Sequence, residues 1–219
     1  MRKIAIVSAV AAIALATPAL AAGAYVGVGV THDNVGGTSS MEALGFDGIG
    51  GTIFAGYDFK VSDGVFAGVE ANFDLASAKM TAVAVAEDTD PNNVTTTTST
   101  TTGVKFKHAF GASARLGYNL NSSTALYGRV GYQRGRVEAS TLEVESPDTT
   151  GTPEVTRKSY DGLRLGAGLQ TSLTEQLSLR VEYNRTHYYL SSAEKKNLDA
   201  GQKGGYKNNQ FSIGVAYGF

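Results

Sequence analysis

The final nine residues of the chain admit few folds. In Phe211–Phe219 one parity carries Phe211, Ile213, Val215, Tyr217 and Phe219, and the other carries Ser212, Gly214, Ala216 and Gly218. Successive side chains of a strand point to opposite faces. The segment therefore reads as a strand with one large apolar face and one face of very small residues. An unpaired apolar strand templates aggregation in water. A closed barrel in a membrane removes the edge and needs an apolar outer face.

The same alternation recurs upstream. It predicts eight strands, at about 24–33, 48–59, 64–76, 105–119, 124–137, 159–173, 177–190 and 209–219. Most exceed the usual strand of a soluble sheet and suit a tilted membrane strand of ~9–11 residues with overhang. Short connections, Lys60–Gly64, Leu120–Ser123 and Thr174–Gln176, alternate with long ones at about 34–47, 77–104, 138–158 and 191–208. The short ones carry the Asn, Asp, Gly and Ser of tight turns. Short turns on one side and long loops on the other is the asymmetry of an outer-membrane barrel. The expected fold is all-β: an eight-stranded, antiparallel, up-and-down transmembrane barrel with short periplasmic turns and four long extracellular loops.

A soluble sandwich or lipocalin-like barrel is the rival fold. Composition by parity separates them. Val65, Ala67, Val69, Ala71 and Phe73 alternate with Gly68, Glu70, Asn72 and Asp74, and Leu163, Leu165, Ala167 and Leu169 alternate with Arg164, Gly166, Gly168 and Gln170. The charged parity is rich in glycine, at 27, 29, 50, 56, 68, 111, 117, 131, 166, 168 and 214. Glycine weakens a strand interior and has no purpose on a convex, solvated face. It fits the concave inside of a narrow barrel. The ions are therefore expected inside and the apolar parity outside. Tyr57, Phe59, Tyr118, Tyr217 and Phe219 fall beside the short turns, and Phe73, Phe106, Tyr132 and Phe211 toward the long loops. That is the pattern of two aromatic interfacial belts.

The amino-terminus predicts export. Arg2 and Lys3 precede an apolar run from Ile4 to Leu15, then Pro18 and Ala19-Leu-Ala21. This is a secretory signal peptide over 1–21, cut before Ala22, with a barrel domain over 22–219. Removing Arg2 and Lys3 leaves 17 basic against 20 acidic residues, a net charge of −3. That excludes the basic footprint of a general nucleic-acid binder. The chain has no cysteine, which excludes a disulfide scaffold, a thiolate metal site and a cysteine nucleophile. No cofactor motif and no metal-ligand cluster stands out; His32 and His108 read as interfacial polar groups.

Ala24-Tyr-Val-Gly-Val-Gly-Val30, Gly56-Tyr-Asp58, Gly68-Val-Glu70, Ala114-Arg-Leu-Gly-Tyr118, Leu126-Tyr-Gly-Arg-Val-Gly-Tyr132 and the terminal Gly214-x-x-Tyr217-x-Phe219 are the most specific segments. On them the mature chain resembles the small eight-stranded outer-membrane β-barrel proteins, the opacity-protein and OmpA-like porin superfamily of Gram-negative bacteria. The resemblance implies the outer membrane as location. It makes Phe211, Gly214, Tyr217 and Phe219 the recognition signal for the barrel assembly machinery. Expected partners are outer-membrane lipid and lipopolysaccharide, that machinery with periplasmic chaperones, and an extracellular ligand held by the loops.

An eight-stranded barrel is filled by its own side chains or holds one small ligand. The inward parity supplies Asp58, Glu70, Asp74, Lys107, Arg115, Arg129, Arg164, Arg180 and Glu182. Unpaired buried charge costs several kcal/mol, so Glu70, Asp74, Arg115, Arg129, Arg164, Arg180 and Glu182 are expected to pair as a structural plug. The expected function is structural and surface-interactive: membrane integrity, adhesion or partner binding through the loops. A narrow porin-like channel is the alternative. A lipid A-modifying enzyme is a remote one. Asn184-Arg-Thr-His187-Tyr-Tyr-Leu-Ser191 resembles the His-x-Ser of lipid A deacylases, but Tyr189 stands where the serine would be. The triad logic needs a nucleophile beside its base, so no catalytic residue is assigned. Thr95–Thr102 reads as a solvated loop or an extended hairpin. The acidic third loop (Glu138, Glu143, Glu145, Asp148, Glu154) and the basic fourth (Lys195, Lys196, Lys203, Lys207) are expected to associate at the rim, where basic residues meet lipopolysaccharide phosphates.

Overall fold

The computed structural model describes residues 23–37, 46–76, 78–89, 95–145, 151–189 and 205–219. The expected signal peptide lies outside the described residues. So do the middles of the long connections, with Asp148, Lys195, Lys196 and Lys203.

Nine strands are present: β1 (Gly23–Gly37), β2 (Phe46–Ser62), β3 (Val65–Ala76), β4 (Lys79–Thr89), β5 (Thr95–Asn119), β6 (Thr124–Glu145), β7 (Glu154–Ser172), β8 (Leu177–Tyr189) and β9 (Gly205–Gly218). All pairings are antiparallel. The ring runs β1-β2-β3-β5-β6-β7-β8-β9 and returns to β1. Two seams close it: β3 against β5, with Val69 opposite Ala114, and β1 against β9, with Val28 opposite Val215. The barrel thus has the eight expected staves.

The ninth strand makes the second loop an extended hairpin, one of the two forms its sequence allows. β4 continues the line of β3 past a break at Ala76–Ala78. It pairs with the first half of β5, Lys79 opposite Lys105 and Thr89 opposite Thr95. The Thr- and Val-rich composition explains it, since such residues suit a pleated surface. β6 runs on beside this hairpin to Glu145, opposite Thr98, and β7 begins early, Glu154 opposite Thr141. A sheet therefore rises above the barrel on the β4–β7 side.

The three short turns are held locally. Gly64 takes φ 78°, a conformation that favours glycine. The Asn121 carboxamide oxygen accepts from the backbone N–H of Ser123 at 2.9 Å and of Thr124 at 2.8 Å. The Thr174 hydroxyl accepts from Leu177 N–H at 2.9 Å. These fix the strand registers, and register decides which face each side chain takes.

Side chains alternate as the parity argument requires. Val28, Ile53, Val69, Leu116, Leu165 and Ile213 are exposed on the outer wall, while Glu70, Arg115, Arg129, Arg164, Arg180 and Glu182 are buried within. The chain buries ions and exposes apolar groups, the reverse of a soluble domain. Tyr57, Phe59, Tyr118, Tyr217 and Phe219 are exposed near the short turns, and Phe73, Tyr132 and Phe211 near the long loops.

Phe106 and Lys107 depart from expectation. A bulge between Phe106 and His108 places an extra residue on β5. One extra residue inverts the facing of everything beyond it. Phe106 therefore turns inward and is 4% exposed. Lys107 turns out to solvent and pairs with Glu138 at 3.5 Å. It belongs to the rim and not to the lumen.

The filled lumen as candidate functional site

The lumen is stacked in layers. At the periplasmic end Phe66, Ala125 and Tyr127 form a small apolar cluster. At the extracellular end Ala78, Phe106, Ala109, Tyr160 and Tyr188 form a second, with Val137 and Tyr206 against it. Between them lie the ions.

The lower ionic layer centres on Glu70. Its carboxylate accepts from Arg180 at 2.7 Å, from Arg129 at 2.8 Å, from the Tyr25 hydroxyl at 2.8 Å and from Arg115 at 3.4 Å. Glu182 accepts from Arg129 at 2.9 Å, from Arg180 at 3.1 Å and from the Tyr127 hydroxyl at 2.7 Å. Arg115 adds Asp58 at 3.7 Å. Three guanidiniums thus face three carboxylates. Arg115 also lies 4.1 Å above the Tyr127 ring, and Arg180 lies 4.3 Å above the Phe54 ring. Cation–π contacts of this kind strengthen when desolvated.

The upper layer centres on Asp74. It accepts from Arg164 at 2.8 Å, from Gln133 at 2.9 Å, from Asn72 at 3.0 Å and from the Thr52 hydroxyl at 2.7 Å. Asn72 joins the layers, because its oxygen accepts from Arg129 at 3.4 Å. Asp33 sits beside this layer on neutral donors alone, Asn208 at 2.7 Å, Gln210 at 3.0 Å and Thr31 at 3.0 Å.

All seven lumen residues singled out from the sequence therefore come together. Sequence reasoning placed Asn72 on the inward face without a partner and missed Tyr25, Tyr127, Gln133 and Asp33. Each shares the inward parity of a strand already read, so the signal was there. What concealed it was chemical type, since tyrosines and carboxamides do not announce themselves as ion partners.

Glycine makes the packing possible. A Cβ on Gly68 would stand 2.0 Å from Asp58 Oδ1, and one on Gly111 2.1 Å from Gln133 Oε1. The space left among Glu70, Arg129, Arg164, Arg180 and Glu182 is about 20 Å³, roughly the room for one water.

On the outer surface His187 lies opposite Lys207 of β9, and both it and Tyr189 are exposed. His108 stacks on Phe73 with ring centroids 5.8 Å apart. At the rim Glu138 accepts from Arg157 at 3.0 Å. That bond, with Lys107 alongside, holds the Glu138 carboxyl below the usual carboxylate range. Glu138 thus pairs within its own sheet among the described residues, while Lys195, Lys196 and Lys203 of the fourth loop lie outside them.

Among curated proteins the chain is 27% identical over 190 residues to a 22 kDa outer membrane protein of Rhizobium leguminosarum bv. viciae, covering 84% of this chain and 74% of that one. Among solved structures it is similar to Ail, the attachment invasion locus protein of Yersinia pestis, in complex with the heparin analogue sucrose octasulfate. The TM-score is 0.51 at 18% identity, over 91% of this chain and 100% of that one. It is also similar to Neisserial surface protein A, with TM-score 0.50 and 16% identity over 90% and 97% of the two chains. At such identities the structural likenesses carry the fold alone. The family described as outer membrane protein beta-barrel domain matches residues 5–219, and the chain belongs to it, as a protein of the bacterial outer membrane.

Proposed function

We propose that this barrel is a sealed anchor whose work is done outside the membrane, by the sheet and loops it holds above the outer leaflet. The lumen geometry supports this most directly. The space among the ions is about 20 Å³, too small for a hydrated solute, and Phe106, Tyr160 and Tyr188 pack above it. The ionic layers brace the staves against one another, and the rigid wall carries the sheet of β4, β5, β6 and β7. Binding residues concentrate on loops positioned by rigid scaffolds. A solved structure of similar fold is in complex with the heparin analogue sucrose octasulfate, and at the extracellular end of this chain rim cations such as Arg185, Lys158 and Lys207 suit the phosphates of lipopolysaccharide.

Single-channel recording of the reconstituted mature chain tests the reading. The expected outcome is a silent bilayer at moderate voltage. Steady ion-selective steps that alter in Arg129→Ala would overturn the seal in favour of a narrow channel.

A further inference from the structure

Beyond the barrel, β4 is an edge of the sheet with β5 as its one paired neighbour, the opposite edge being the first residues of β7. It pairs with β5 over its whole length and ends the strand order. Lys79 and Thr81 to Glu87 are all exposed, and Val83 and Val85 are each 62% exposed. A strand edge of this kind presents unpaired N–H and C=O groups to whatever strand arrives. Soluble proteins blunt such edges with proline, a bulge or inward charge. Here the central run is Ala82-Val-Ala-Val-Ala86, with none of these.

The edge is also complementary to itself. Lys79 at one end and Glu87 at the other lack an ion-pair partner among the described residues. Consider two copies of β4 paired antiparallel about a two-fold axis at Val83. Positions whose numbers sum to a constant then face each other. Lys79 meets Glu87 of the second copy, Thr81 meets its Val85, and Val83 meets its Val83. Both ends gain an opposite-charge pair, and the valines of both copies line one face. Moving the register by two residues either way parts Lys79 from Glu87. Parallel pairing sets Lys79 against Lys79 and Glu87 against Glu87, which is repulsive.

Membrane topology then decides where such a pair can form. β3 climbs from the periplasmic turn at Asp63–Gly64, and β4 continues away from the membrane. Two copies in one membrane point the same way, so a side-by-side pairing of their β4 strands is parallel. Antiparallel pairing needs two copies facing each other from opposed membranes.

We propose that the free edge of β4 is a homotypic recognition site that joins two outer membranes by antiparallel β-sheet extension in the Lys79–Glu87 register. The occupant is a second copy of this chain. The inference rests on the extracellular sheet being the working part of the molecule, as proposed above. The overlap of two eleven-residue strands would hold the surfaces apart by on the order of 35–40 Å at ~3.3 Å per residue.

Vesicle clustering by the full mature barrel tests it, read as light scattering in low salt. Phospholipid vesicles carrying the unmodified protein should cluster. Vesicles carrying Lys79→Glu alone, or Glu87→Lys alone, should cluster at least tenfold less, because every terminal pair is then of like sign. Mixing the two variant populations should restore clustering, since each opposed pair again has opposite signs. Both positions are exposed, so neither change threatens the fold, and the restored mixture proves both variants folded. The chain has no cysteine, so Val83→Cys should yield a disulfide-linked dimer under mild oxidation and Val85→Cys should not. Dispersed vesicles with the unmodified protein, undiminished clustering by Lys79→Glu, or no restoration on mixing would each overturn the proposal. Dispersed vesicles together with a silent bilayer would sink self-recognition and leave the sealed anchor standing. Clustering by a conducting barrel would do the reverse.

Discussion

Replacing Glu70 by Gln keeps the shape of the lumen and removes one charge. In the native layer Asp58, Glu70 and Glu182 balance Arg115, Arg129 and Arg180. After the change two carboxylates face three guanidiniums, and the new carboxamide turns donors toward donors. Glu70 has no reserve of solvent, its side chain being 1% exposed. Breaking a buried pair by removing one partner costs about 3–5 kcal/mol. That is roughly two to four decades in the folding equilibrium, at about 1.4 kcal/mol per decade. A second change should recover part of the loss. In Glu70→Met with Arg115→Met two carboxylates again face two guanidiniums, and the apolar pair can fill the volume. Arg115 is the right companion because its own ion contacts are the longest, 3.4 Å to Glu70 and 3.7 Å to Asp58. The double variant should unfold nearer the native midpoint than Glu70→Gln does. The chain has no Trp, so equilibrium unfolding in lipid vesicles is best followed by circular dichroism and by the gel mobility of the folded form. A loss below about 1 kcal/mol in Glu70→Gln, under the range for a broken buried pair, would refute the claim that the ionic layer braces the barrel. A double variant worse than the single would refute the charge balance.

Two further expectations come from the wall and the rim. Gly214→Ala places a Cβ 2.6 Å from the Val28 carbonyl oxygen of the adjoining strand, whereas Gly128→Ala meets only Gly166 O at 3.8 Å. Overpacking costs about 1–3 kcal/mol, so the first should lower the unfolding midpoint and the second should leave it unchanged; equal effects would mean the two faces are misassigned. At the rim the Glu138 carboxyl has its folded-state pKa lowered by Arg157 and Lys107. A lowered carboxylate stabilises above its unfolded value of about 4.3 and loses that contribution as pH falls through the folded value. Amide exchange at Thr156–Lys158 should therefore be flat from pH 7 to 5, after correction for intrinsic rates, and should rise only under stronger acid. An early rise near pH 6 would contradict the assignment.

Parity alone determined most of this molecule. Alternation in Phe211–Phe219 and its upstream repeats already specified which side chains meet lipid, because strand geometry leaves a side chain only two directions. The small inner residues and the charges shared one parity, so a charged interior was legible and seven of its ions could be named. Three things needed the folded chain. The bulge at Phe106–His108 inverts facing with no local sequence mark, since a bulge arises where two strands pair and not within either. The partners of each ion depend on barrel shear, which sets residues 45 to 110 positions apart at contact distance, as with Glu70 against Tyr25 and Arg180. The Thr-rich segment reads equally as solvated loop or strand in isolation. Pairing with β4 on one side and β6 on the other settled it, because only tertiary neighbours can satisfy the backbone of a strand.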